Sequence, residues 1–168
     1  DLNTINQIIL HDTDGFFGIS GTLAVLNGKN EGIHYIIDRN GNIARPVGIE
    51  KVVYHATIAN KLSVGIELCN SNGMIQLSNG ILKGVGNHVY PNSGKEGEKV
   101  LLDLVTQEGQ NVTGGIRDLG WFLNQRRFYE GYSVAQMNAL KTVILEILQK
   151  CPNIKLNYTA DELNIYQN

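Results

Sequence analysis

The sequence predicts an α/β fold: a single domain in which a central mixed β-sheet is flanked by helices. Apolar runs of strand type recur at Gln7 to Leu10, Ile33 to Asp38 and Ser63 to Cys69, while two longer stretches repeat apolar residues at helical spacing. The chain has 168 residues, 42% of them hydrophobic, enough to bury a core without disulfide staples.

Taken in order, Gln7 to Leu10 forms the first strand and His11 stands where that strand leaves the core. Asp12-Thr13-Asp14-Gly15 turns into a helix, in which Phe16, Ile19, Leu23 and Leu26 share one face and Gly28 with Asn30 supplies the stop. Ile33 to Asp38 is the next strand. Arg39-Asn40-Gly41-Asn42 is a hairpin signal, because Asn-Gly readily takes the positive φ angles of a two-residue turn, and Ile43 to Val47 returns as the partner strand.

Val52 to His55 and Ser63 to Cys69 are two more β-rich runs, the second apolar enough for a central strand covered on both faces. Residues 71 to 98 are rich in Gly, Asn and Ser, as a surface insertion with a few short strands would be. Lys99 to Val105 fits a strand or a helical turn. Trp121, with Leu119, Phe122 and Leu123, forms an aromatic group that reads either as a lid on the core or as a substrate-facing patch. Ser133 and Gln136 have capping-box spacing, and Met137, Leu140, Ile144, Ile147 and Leu148 carry the clearest helix to about Lys150, ended by Pro152. Thr159-Ala160-Asp161-Glu162 repeats the capping pattern and predicts a short terminal helix.

Composition narrows the function classes. A net charge of −2 and a pI near 6.1 leave no basic footprint for nucleic acid. No apolar stretch reaches the length of a membrane span, and no signal-peptide pattern opens the chain. The start at Asp1 is what a processed form or an excised domain would have. Cys69 and Cys151 read as free buried thiols, and no C-x-x-C zinc pattern is present. Without a phosphate loop or dinucleotide glycine pattern after any strand, a nucleotide-handling α/β enzyme has little support.

In the strand around Glu67, alternation puts Gly65, Glu67 and Cys69 on one face. A carboxylate there is costly unless it is paired, for which Arg39 and Arg45 are the candidates, or functional.

Three segments carry a family resemblance: Ile8-Ile9-Leu10-His11-Asp12-Thr13, His34-Tyr35-Ile36-Ile37-Asp38-Arg39-Asn40-Gly41 and Ser63-Val64-Gly65-Ile66-Glu67-Leu68-Cys69-Asn70. With Tyr54-His55-Ala56, Asn60 and Tyr132-Ser133-Val134-Ala135-Gln136, the chain resembles the type 2 N-acetylmuramoyl-L-alanine amidases, zinc hydrolases of bacterial cell walls and phage endolysins. The resemblance covers roughly 5 to 70 and 128 to 150, with residues 71 to 127 as an insertion in one amidase-like domain of residues 1–168. It implies cleavage of the amide between N-acetylmuramic acid and the L-alanine of the stem peptide, with peptidoglycan as partner. Location would be secreted, periplasmic or phage-associated. It also implies zinc, with His11 as the first ligand and Glu67 as the general base on the attacking water. His55 and Asn60 become substrate-binding candidates, and His34 a packing residue.

The chain departs from the family after its long helix. The family's Gly-His pair and Lys-x-Asp-Pro-Gly segment are absent, and Ile154 to Glu162 carries Asn157 and Tyr158 about where a histidine ligand stands. Val112-Thr113-Gly114-Gly115-Ile116-Arg117-Asp118 is similar to the family's Thr-Gly-His-x-Asp phrase, with Gly115 in the histidine position, but it precedes the helix. Further ligands would come from His55, or from the weaker candidates Asp161, His88 and Cys69. The competing expectation is an amidase fold without its metal, acting as a peptidoglycan-binding or structural module of a phage or envelope.

Overall fold

The protein is represented by a computed structural model, which describes residues 1–15, 17–71, 74–76, 82–83, 89–90, 116–122 and 125–155. A 3-10 turn at Leu2–Thr4 precedes β1 (Gln7–Asp12), α1 (Ile19–Gly28), β2 (Tyr35–Ile37) and β3 (Ile43–Ala44). A second 3-10 turn, Thr57–Ala59, leads into β4 (Ser63–Leu68). Then follow β5 (Met74–Gln76), β6 (Leu82–Lys83), β7 (Val89–Tyr90), β8 (Ile116–Phe122), β9 (Gln125–Glu130) and α2 (Val134–Lys150).

The first sheet has the order β1-β4-β2-β3, with β1 and β2 parallel to β4 and β3 antiparallel to β2. It is the central mixed sheet expected, and β4 is its buried middle strand. Alternation divides the residues of β4 between two helices. Val64, Ile66 and Leu68, with Tyr35 and Ile37, pack against Ala139, Val143 and Ile147 of α2. Ile36 and Cys69, with Ile33, pack against Ile19, Leu23 and Leu26 of α1. Each fully buried Val or Ile of these layers contributes about 1.5–3 kcal/mol relative to exposure.

The helix ends follow local chemistry. α1 begins at Ile19, later than the apolar spacing suggests, after a Gly18 N-cap. A Cβ on Gly21 would stand 2.4 Å from the Phe17 Cβ, so the entering chain can fold over the first turn only where that position has no side chain. Ser133 caps α2 by accepting from the Gln136 N–H at 3.0 Å. The reciprocal half of the capping box is absent. The Gln136 amide instead donates to the Ile37 carbonyl at 3.1 Å and the Cys69 carbonyl at 2.9 Å, clasping the ends of β2 and β4.

Two other local expectations are corrected. Val52 to His55 is not a strand: Val52 is 58% and Tyr54 71% exposed, and the chain bends at Tyr54 to Ala56 before entering the second 3-10 turn. The hairpin after β2 is longer than a two-residue turn, since of its residues only Gly41 has positive φ, +82°. The Asp38 carboxylate accepts from Asn40 N and Asn42 N, both at 2.9 Å, and organises the wider turn.

Residues between β4 and α2 build a second, five-stranded antiparallel sheet in the order β7-β6-β5-β9-β8. The Ile116 to Phe128 stretch, expected to form an aromatic lid or patch, provides the hairpin of β8 and β9. The side chains of Leu119, Trp121, Phe122 and Leu123 lie outside what is described, as do Lys99 to Val105 and the expected helix at Thr159 to Glu162. The second sheet joins the first through a buried polar knot. Arg39 Nε and Nη2 donate to the two oxygens of Glu130 at 2.6 and 2.7 Å, and Glu130 Oε2 also accepts from Ser71 N at 2.9 Å.

Candidate functional site

Parallel register pairs His11 of β1 with Glu67 of β4, so the two side chains leave the same face of the sheet side by side. Glu67 Oε2 is buried and has no hydrogen-bond partner among the described residues. Burial, reinforced by the carboxylates of Asp12 and Glu31 and weakly opposed by Lys29, pushes its pKa up to about 7. The ion-pair alternative for Glu67 is overturned: Arg39 is spent on Glu130, and Arg45 donates to Glu146 at 2.8 Å.

A chain of hydrogen bonds leads from this point. His11 Nε2 and His55 Nδ1 are 3.0 Å apart, His55 Nε2 is 3.2 Å from Ser63 Oγ, and Ser63 Oγ donates to the Ala59 carbonyl at 2.7 Å. A serine hydroxyl has one proton. Because it goes to Ala59, Ser63 must accept from His55 Nε2–H. Neutral His55 is then unprotonated at Nδ1, and His11 donates to it from Nε2. Both rings stay neutral because charge is disfavoured there: burial lowers the His11 pKa, and burial together with His11 and His34 brings His55 to about 4.

The ring of His55 lies against the sheet because residue 65 is glycine. A Cβ at Gly65 would stand 2.6 Å from His55 Nδ1 and from Ile33 Cδ1. Asn60 fixes the loop that carries His55: its side-chain Oδ1 accepts from the backbone N–H of His55 at 2.9 Å and of Ala56 at 2.6 Å. His34 is a packing residue as expected, and both its ring nitrogens are committed. Nδ1 accepts from Gly65 N and Nε2 donates to the Lys51 carbonyl, each at 3.0 Å.

Cys69 is a poor ligand candidate. It is fully buried under α1, its sulfur lies 3.6 Å from Thr22 Oγ1, and burial pushes its thiol up to about 11, away from the thiolate a metal needs. Cys69 and Cys151 are both free and buried, as the sequence suggests. Asp161 and His88 lie outside the described residues, among which no group of three His, Cys, Asp or Glu side chains is gathered for a metal. The described residues therefore do not by themselves complete a zinc site, and His11 and His55 are joined to each other by their hydrogen bond.

A cavity of about 220 Å³ reaches His11 from the α2 side, lined also by Leu10, Asp12, Leu68, Tyr132 and Met137. The Tyr132 hydroxyl donates to Asp12, and burial together with this carboxylate raises the phenol pKa. The sequence reading gave Ser63, Gly65 and Asp12 no role in the site. A small residue two positions before a strand glutamate, on the same face, was the signal available for Gly65.

The profile of the family described as N-acetylmuramoyl-L-alanine amidase matches residues 1–167. Among solved structures, the N-acetylmuramyl-L-alanine amidase AmiD from E. coli, in complex with anhydro-N-acetylmuramic acid-L-Ala-D-gamma-Glu-L-Lys, is 19% identical with a TM-score of 0.52, over 90% of this chain and 46% of that one. AmpDh3 from Pseudomonas aeruginosa, in complex with anhydromuramic pentapeptide, is 17% identical with a TM-score of 0.51, over 90% and 48%. The chain therefore spans about half the length of these structures, and the likeness is one of fold. No curated protein matches the chain.

Proposed function

The chain belongs to the N-acetylmuramoyl-L-alanine amidase family, and from that premise we propose that it hydrolyses the amide between the lactyl group of N-acetylmuramic acid and the L-alanine of the peptidoglycan stem peptide. The observation that carries the proposal is the buried Oε2 of Glu67, unpartnered among the described residues, in direct register with His11. Keeping such a carboxylate in a central strand is costly, and its raised pKa suits a group that must take up and give back a proton near neutrality.

In this reading Glu67 removes a proton from the attacking water as the C–O bond forms. It then delivers that proton to the amide nitrogen as the C–N bond breaks, releasing L-alanine's amine and the lactyl carboxylate. A zinc ion held by His11 would supply a water of lowered pKa and a polarised carbonyl. His55, neutral and aimed at His11, sets the orientation of that imidazole. The exposed Tyr54 and Ile58 border the loop that carries His55 and offer surface to a glycan or peptide. The family supports peptidoglycan as the partner, and a secreted, periplasmic or phage-associated setting is where that polymer is met.

The test is incubation of the purified chain with a muramoyl peptide and zinc, with mass spectrometry of the products. Release of the stem peptide with a free L-alanine amine is expected. Glu67→Gln, which keeps the shape and loses the base, should lower kcat by about 10²–10⁴-fold. Binding of muramoyl peptide without any hydrolysis would overturn the enzyme reading and leave a peptidoglycan-binding module.

A further inference from the structure

Resting on the amidase reading above, we propose that the cavity between β1, β4 and α2 is a specificity pocket for an alkylammonium arm, the side chain of a lysine-type residue in the stem peptide, with Asp12 recognising the ammonium. The cavity has a volume of about 220 Å³. Its place in the fold is set by register. Asp12 and Leu68 are the last paired residues of β1 and β4, one step beyond the His11–Glu67 pair. The cavity therefore lies at the carboxyl ends of parallel strands, where open α/β sheets take their ligands. A peptide whose scissile amide lies at Glu67 reaches it by passing over those strand ends.

Walls and mouth differ in chemistry. Leu10, Leu68, Met137 and Leu140 give apolar walls, against which a run of methylenes can lie while its charged end stays near water. Leu10 is 49% exposed, an apolar surface open to a ligand. At the exposed side stand the Asp12 carboxylate and the Tyr132 hydroxyl, joined by a hydrogen bond. A carboxylate accepts several hydrogen bonds at once, so the Tyr132 contact orients Asp12 without exhausting it.

Charge selects the arm. The carboxylates of Asp12 and Glu31 both act on His11, which also lines the cavity, so an incoming cation is drawn there. The same field repels an arm that carries a further carboxylate. A lysine-type side chain is thus held where a diaminopimelate-type one is disfavoured.

The experiment titrates the unmodified chain with free stem peptides, which have no muramoyl amide to cleave. Calorimetry reads affinity and methyl chemical shifts read the contacts, with muramoyl-peptide hydrolysis assayed separately. A peptide containing L-lysine is compared with its Nε-acetylated form and with the peptide carrying diaminopimelate in place of lysine. The lysine peptide should bind roughly 3- to 10-fold tighter than either, with shifts at the Leu10 and Leu140 methyls. Asp12→Asn, which can still accept from Tyr132, should erase the preference, and Leu140→Trp, which fills the cavity, should weaken binding of the lysine peptide. Equal affinities for all the peptides, a preference that survives Asp12→Asn, or shifts confined to other methyls overturn the pocket. Hydrolysis of the muramoyl peptide alongside any of those results leaves the amidase reading intact. A lysine preference without hydrolysis supports the pocket and overturns the enzyme.

Discussion

Glu67 is where sequence and chemistry meet most directly, and its energetics can be tested without any substrate. The folded state raises its pKa from 4.5 to about 7, so the native protein binds this proton more tightly than the unfolded chain does. Its contribution to stability is fully present below about pH 4.5 and is lost as pH rises through about 7. In metal-free protein, Glu67→Gln should therefore be near neutral at pH 4.5 and stabilising by roughly 3 kcal/mol at pH 8, a rise of about 5–10 °C in Tm. Equal Tm differences at both pH values, read by calorimetry, would mean that the carboxylate is not desolvated. Gly65 is the second decisive residue. Gly65→Ala must displace the His55 ring, so kcat of the proposed hydrolysis should drop by about 10²-fold while the circular dichroism spectrum is kept. Unchanged His55 ring resonances in the variant would contradict this.

Among the elements, β1, β4 and α2 were legible because each combines strong periodicity with local punctuation. The unbroken apolar run of β4 follows from cover on both faces, by α1 and α2. The Val52 to His55 run failed because β-propensity reflects packing opportunity. In this segment Val53 packs against Gly32 and His55 against Gly65, while Val52 and Tyr54 stay open to solvent. Gln136 shows a capping residue diverted to tertiary work. Its amide satisfies two buried carbonyls, so Gln136→Leu should cost about 2–6 kcal/mol, at roughly 1–3 kcal/mol for each group left unpaired. Urea denaturation checks it, and a loss below 1 kcal/mol would mean that water takes over both carbonyls.

At the scale of the molecule, the second sheet is tied to the first through the Arg39–Glu130 pair, whose side chains are 1% and 2% exposed. Arg39 also donates to the Gly15 and Phe17 carbonyls, both at 3.1 Å, which binds the entry to α1 into the same knot. Arg39→Met strands the Glu130 charge and should cost about 3–5 kcal/mol, whereas Arg39→Met with Glu130→Leu should recover most of the loss. A double variant as unstable as the single one, measured by guanidinium unfolding, would show that the carbonyl contacts matter more than the ion pair. Among the described residues no helix is long and apolar enough to cross a membrane.

The sequence by itself determined the α/β class, the central mixed sheet and the long second helix through local periodicity, while the candidacy of His11 and Glu67 rested on the family resemblance of the segments that carry them. The tertiary structure alone decided which side chains meet. Arg39 is taken by Glu130, 91 positions away, so Glu67 stays unpartnered. His55 is brought to His11 across 44 positions by a glycine that clears its ring and a serine that fixes its proton. Such pairings depend on how β1 and β4 align and on which residue has no Cβ, and neither the spacing nor the composition of the chain encodes them locally.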